Sequence, residues 1–176
     1  MSELSANPVR VALRALTHGV YVLSMNASER DAFLIVSLAM QCSVEPPRIA
    51  FALSMNARIL HALRIARGGV LSTLDVSQKS AVRRYGAPGG VRQTPVSPSR
   101  SSEGHPIPPE AAHWIAFRTF TETVVGDHVL FVADVTDAGN SGVAIAAESA
   151  NDSAQHHSPV KFAPLILAES GFPYAG

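Results

Sequence analysis

Three side chains able to hydrogen-bond without charge, Ser37, Gln41 and Ser43, recur along one side of the stretch VSLAMQCSV, Val36 to Val44. Read alternately as a strand, they share a face with Ala39, opposite Val36, Leu38, Met40, Cys42 and Val44. A small, neutral face of hydroxyls and an amide suits a ligand that is polar and flat or polyhydroxylated. It also lets such a ligand reach the backbone N–H groups. A second reading is that another sheet or subunit packs closely there. Asn56 and Arg58 lie at the start of a helical pattern, where unpaired N–H groups and a guanidinium form a natural seat for a phosphate. Asn56 alone reads as a helix cap. His128 follows the turn residues Gly126 and Asp127, a half-exposed position suited to meeting a ligand, although a lone histidine also serves structure.

Other chemistries are missing. His156 and His157 sit in a polar stretch with no carboxylate or cysteine at ligand spacing, so no metal site is expected. The sequence contains no GxGxxG, GxxxxGK[ST] or GxSxG pattern and no paired cysteines. Cys42, the single cysteine, falls on the apolar side of its strand and reads as a buried, inert thiol.

The elements that must position these residues follow from periodicity and breakers. Asn7 and Pro8 open a helix whose buried stripe is Val9, Ala12, Leu13 and Leu16, closed near Gly19. Val20–Met25 reads as a strand, and a second runs from Asp31 until Pro46-Pro47 ends it. Arg48–Ser54 is a third strand, with Ile49, Phe51 and Leu53 against Ala50 and Ala52. Asn56 caps a helix with Ile59, Leu60 and Leu63 buried, stopped by Gly68-Gly69. Val70–Leu74 is a strand, and Ser77 caps a short helix, Gln78–Tyr85. Ala87–Pro109 holds six of the twelve prolines and no periodicity, the pattern of a structureless segment that is a lid, an arm across a neighbour, or partly disordered. His113–Thr123 and His128–Thr136 form a hairpin about Gly126-Asp127. Val143–Ala147 and Pro164–Leu167 are short strands, Ser149–Ser158 is loop, and Phe172–Gly176 is a tail. Strands joined by turns outnumber helices, which favours a mainly β chain, a barrel with peripheral helices.

Composition sets the bounds. At 176 residues the chain is expected to be one domain, 1–176. It is 47% hydrophobic and only 16% charged, against roughly 25% charged in ordinary domains, and the deficit points to a subunit interface. Basic and acidic residues balance at 14 each without a basic block, so neither nucleic acid nor an anionic membrane is an expected partner. The N-terminus lacks a signal-peptide pattern and no apolar run is long enough to span a bilayer, which reads as cytoplasmic.

Taken in order, HGVYVLSM (His18–Met25), IVSLAMQCSVEPP (Ile35–Pro47), IAFAL, NARI, RGGVLSTL and GDHVLFVADVTDA (Gly126–Ala138) resemble the flavin reductase-like proteins of the FMN-binding split-barrel fold. The resemblance covers nearly the whole chain outside the proline-rich segment. It implies a split β-barrel homodimer that binds FMN or FAD. Ile35, Val36, Ser37, Gln41, Cys42 and Ser43 on the strand, with Asn56, Arg58 and Ile59 at the helix start, are the residues it places around the flavin. Ser37 and Ser43 would hold the ribityl chain or ring, the phosphate would lie near Asn56 and Arg58, and His128 beside the ring as the catalytic candidate. The implied activity is NAD(P)H-dependent flavin reduction, with a flavin-dependent monooxygenase as a partner that receives the product.

Three departures matter. Ile35 and Ile59 stand where relatives carry Thr, and Ser72 where they carry Asn. Each isoleucine removes a hydroxyl worth roughly 0.5–1.5 kcal/mol. A loosely held flavin used as substrate is one consequence. The alternatives are an FMN-binding electron carrier and a non-enzymatic split barrel with a degenerate pocket.

Overall fold

The computed structural model describes residues 8–28, 30–86, 98–140 and 162–171. Its frame is a seven-stranded antiparallel sheet of β1 (Tyr21–Ala27), β2 (Arg30–Val36), β3 (Ala39–Ser43), β4 (Arg48–Ser54), β5 (Gly68–Thr73), β8 (His113–Val125) and β9 (His128–Asn140). The strand order is β2-β1-β5-β8-β9-β4-β3. Strands β2 and β3 are thus at opposite ends of the sheet although only Ser37 and Leu38 separate them in sequence. Two residues cannot span a flat sheet of this width, so the sheet coils and brings its two ends near each other without pairing them. The Ala52 N–H donates to Leu38 O at 2.9 Å, fastening the junction. The result is a split barrel.

This corrects the single strand expected from Asp31 to the prolines. The chain must change partner at Ser37–Leu38, from β1 to β4, and the ladder breaks there. The register of β3 on β4 then shifts between Gln41 and Ser43, a bulge at Cys42 that upsets the expected alternation. Met40 is 66% and Val44 79% exposed, and Cys42 is also exposed. The expected core face with a buried thiol is therefore wrong for the isolated chain. Strand β3 is an edge, and among the described residues nothing covers that face.

Inside the barrel, Leu23, Met25, Val36, Phe51, Leu53, Leu71, Phe117 and Phe131 pack around Ile59, Leu60 and Leu63 of α2 (Ile59–Ala66). Outside, α3 (Lys79–Gly86) lays Ala81, Val82 and Tyr85 on Val22, Phe33 and Ile35. Strands β1 and β2 are buried on both faces, which explains the nearly unbroken apolar run Ala32–Val36. Tyr85 stacks on Phe33, and its hydroxyl donates to Glu110 Oε2 at 2.8 Å while Arg84 pairs with the same carboxylate. Burial and the Glu110 carboxylate push the phenol well above its ordinary range.

Two helix starts and the burial of one helix differ from expectation. The cap ahead of α3 is Asp75, not Ser77. Its carboxylate accepts from Ser77 N at 2.9 Å while Gln78 Oε1 accepts from Asp75 N at 2.8 Å, a reciprocal capping box on the 3₁₀ turn Val76–Gln78. Asp75 Oδ2 also accepts from Ala163 N, and these bonds hold its pKa below the usual value. Asp75→Ala should lower stability by about 1–2 kcal/mol in urea unfolding. An unchanged midpoint would refute the cap. The N-cap of α2 is Arg58, without a side-chain capping bond, so Asn56 is not the cap. Helix α1 (Pro8–Arg14) is present, yet Val9, Leu13 and Leu16 are exposed rather than buried.

Residues 98–109 are not structureless. Strands β6 (Ser99–Arg100) and β7 (Pro106–Ile107) form a small hairpin. Residues 87–97, the Val143–Ala147 strand, the Ser149–Ser158 loop with His156-His157, and the Phe172–Gly176 tail lie outside the described residues. Pro164 and Ile166 make isolated bridges, and Leu167–Ser170 is a helical turn, α4, rather than a strand. Among the described residues no helix is long and apolar enough to cross a membrane, and no cluster of His, Cys, Asp and Glu could hold a metal.

Candidate functional site

The end of β4 gathers most of the chemistry. Ser54 pairs with His128 across the β4–β9 ladder, and Met55 N–H donates to Asp127 O at 2.9 Å. These contacts fix the β4–α2 turn, which carries Asn56 and Arg58, against the β8–β9 hairpin turn. In that turn Gly126 has φ +61°, a left-handed value that glycine adopts without a Cβ clash. The Leu38–Ala52 bond brings Ser37 beside the same end. Ser37, Ser54, Asn56, Arg58, Asp127 and His128 thus converge from three separate segments.

Asn56 and Arg58 are exposed, and Ser54 Oγ accepts from Asn56 N at 3.3 Å. The His128 side chain is 24% exposed, with Nδ1 2.7 Å from Asp127 Oδ1. That contact and the charge of His128 hold the Asp127 carboxyl below its ordinary range. Asp127 orients the ring by Nδ1 and leaves Nε2 for another partner. Asp127 and Ser54 escaped the sequence reading as site residues. Asp127 looked like a turn former only, and Ser54 matters through a cross-strand pairing that no local pattern reveals.

Gln41 and Ser43 lie elsewhere. Ser43 pairs with Arg48 at the opposite end of β4, and Gln41 Nε2 donates to Ser43 O. At about 3.3 Å per residue, Ser43 is roughly 20 Å along the chain from Ser37. Cys42 stands exposed with them. Val36 and Ile59 point into the barrel core, and Ile35 into the outer cluster beneath α3. The two isoleucines are packed among apolar side chains, so their missing hydroxyls leave no polar gap.

A separate cleft of about 450 Å³ opens at the other end of α2, between Arg64, Arg67, Thr119, Thr121 and Glu122 over a floor of Leu63 and Phe131. Arg64 Nε donates to both Glu122 oxygens at 3.2 Å. Sequence patterns gave no sign of it, because it joins a helix end to a strand 52 residues later.

The donor set at the end of β4 fits a flavin phosphate and its polyol: hydroxyls, an amide, a guanidinium and an uncapped helix start. The fold defines the class: a split barrel of the FMN-binding type. Residues 13–175 match the family described as the flavin reductase like domain, and the chain belongs to it. Solved structures share the fold. An FMN-binding protein from Thermus thermophilus with bound 1-cyclohex-2-enone is 21% identical, with a TM-score of 0.69 over 80% of each chain. The flavin reductase of styrene monooxygenase from Pseudomonas putida S12 is 23% identical, with a TM-score of 0.67 over 77% of this chain and 88% of that one. An NADH:FAD oxidoreductase from Streptomyces globisporus C-1027 is 22% identical, with a TM-score of 0.67 over 80% and 87%. No curated protein matches the sequence.

Proposed function

We propose that this protein is a homodimeric flavin reductase that uses NADH or NADPH to reduce FMN or FAD. The observation that carries the reading is the convergence of Ser37, Asn56, Arg58 and His128 at one end of β4 in a member of this family. Arg58 and the start of α2 hold the phosphate, Ser37 and Asn56 hydrogen-bond the polyol, and His128 borders the ring. A bound flavin supplies the hydride acceptor, and the nicotinamide supplies the hydride. The chain's own residues orient the two flat groups and keep water out, work that needs no general acid. Structures of the same fold include reductase components of a styrene monooxygenase and a tryptophan halogenase, which supports transfer of reduced flavin to a partner oxygenase.

The dimer rests on β3. Met40 and Val44 together leave an apolar edge that the described residues do not cover, and a second copy is the proposed cover. Light scattering at micromolar concentration should give twice the chain mass, and a monomer mass would end the claim.

Ser37→Ala and Asn56→Ala should each weaken flavin binding several-fold, and together by about tenfold, without changing the unfolding midpoint. Unchanged affinity in both would move the site elsewhere. Turnover of excess free flavin with NAD(P)H separates a reductase from an electron carrier, which reduces only the flavin it already holds.

A further inference from the structure

The β6–β7 hairpin is fastened to the outer face of β1, β2 and β5 by a polar cluster that the flavin site does not use. Arg100 donates to both oxygens of Asp31 on β2, at 2.9 and 3.1 Å, and to Gly104 O at 2.8 Å. Ser24 Oγ on β1 donates to Pro106 O at 2.6 Å. Arg118 on β8 reaches Glu103 in the hairpin turn at 3.1 Å. At the centre lies His105, only 7% exposed, whose Nδ1 accepts the backbone N–H of Asn26 at 3.3 Å. The imidazole sits where Gly68 has no side chain, since a Cβ there would come within 3.1 Å of Nε2.

We propose that this cluster is an acid-released clasp: protonation of His105 at Nδ1 sets two N–H donors against each other and frees the hairpin 99–107 from the sheet. The charged groups around the ring are Glu103 and Arg100 of the hairpin and Asp31 of β2, with Arg118 of β8 behind Glu103. Burial lowers the proton affinity of His105, and Arg100 adds to this, while Glu103 and Asp31 oppose it. The direction follows from linkage. A histidine whose folded pKa is depressed gives its full stabilisation above the ordinary value of 6.5, and loses it as pH falls through the folded value. Acid therefore opens the clasp and alkali closes it.

The test is amide hydrogen exchange of Asn26 and residues 99–107 between about pH 8 and pH 5, corrected for the intrinsic rate of exchange. In the wild-type chain, protection of these amides should fall several-fold on acidification while the β4–β9 core stays protected. His105→Asn keeps an acceptor near the position of Nδ1 but cannot titrate, so its hairpin should hold the same protection throughout. Arg100→Gln should loosen the hairpin at every pH and keep the acid step. Wild-type protection that does not change with pH would overturn the proposal, as would an acid step surviving in His105→Asn. Should His105→Asn fail to fold, the wild-type Asn26 amide still decides, because it alone loses its acceptor directly.

Discussion

Phe51→Ala is expected to destabilise the fold by about 3–5 kcal/mol, the range for removing a buried aromatic ring. Phe51 faces Phe131 directly across the β4–β9 ladder, with ring centroids 5.3 Å apart, and lies 5.1 Å from Phe117 on β8. It is 1% exposed, in the strand that links the β3 edge to the rest of the barrel. Truncation leaves a cavity among three rings that rigid neighbouring strands cannot close, and it forfeits the aromatic contacts as well as the transfer term. Phe51→Leu refills much of that volume and should cost well under half as much. Urea unfolding at fixed protein concentration measures both, with an unchanged m-value showing that the loss is stability. A loss below about 1 kcal/mol for alanine would mean that the three rings do not form the core.

His128→Ala is expected to slow hydride transfer by about a hundredfold, on the scale of effects that follow from misplacing a reacting group by about an ångström. Flavin affinity should move by far less, because the proposed contacts to the polyol and phosphate come from Ser37, Asn56 and Arg58. The ring is held at Nδ1 by Asp127 and backed by the Ser54 pairing, so its other edge faces the proposed stacking place of the two reactants. Single-turnover reduction in a stopped-flow instrument separates the two effects. An equal loss of affinity and rate would reduce His128 to a binding contact. Asp127→Asn, which retains an oxygen toward Nδ1, should lie near wild type in rate.

Much of this arrangement was legible because local rules and tertiary needs agree. The Gly126-Asp127 turn and the apolar alternation of β4 and β9 could be placed from sequence, and the motif order located the family. Where reading failed, the cause was non-local. Met40, Cys42 and Val44 alternate as a core face should, yet β3 is an edge strand with a bulge, and periodicity cannot say which strand lacks a cover. Asn56 has a capping side chain, but the helix begins two residues later than that pattern suggested. The hairpin 99–107 hid within proline-rich sequence, because its order comes from Arg100, His105 and Ser24 bonding across 69 to 82 positions rather than from its own propensity. Ser37, Gln41 and Ser43 looked like one polar face, and strand rise with a bulge places only Ser37 with Asn56 and His128.

The central claim is most directly tested by anaerobic titration of the purified protein with FMN and FAD, following flavin fluorescence, and then adding NADH or NADPH. Saturable quenching with one flavin, followed by bleaching of its absorbance on adding the nicotinamide, is the predicted result. Quenching by neither flavin would contradict the account, and would mean that Ser37, Asn56, Arg58 and His128 at the end of β4 do not form a flavin site.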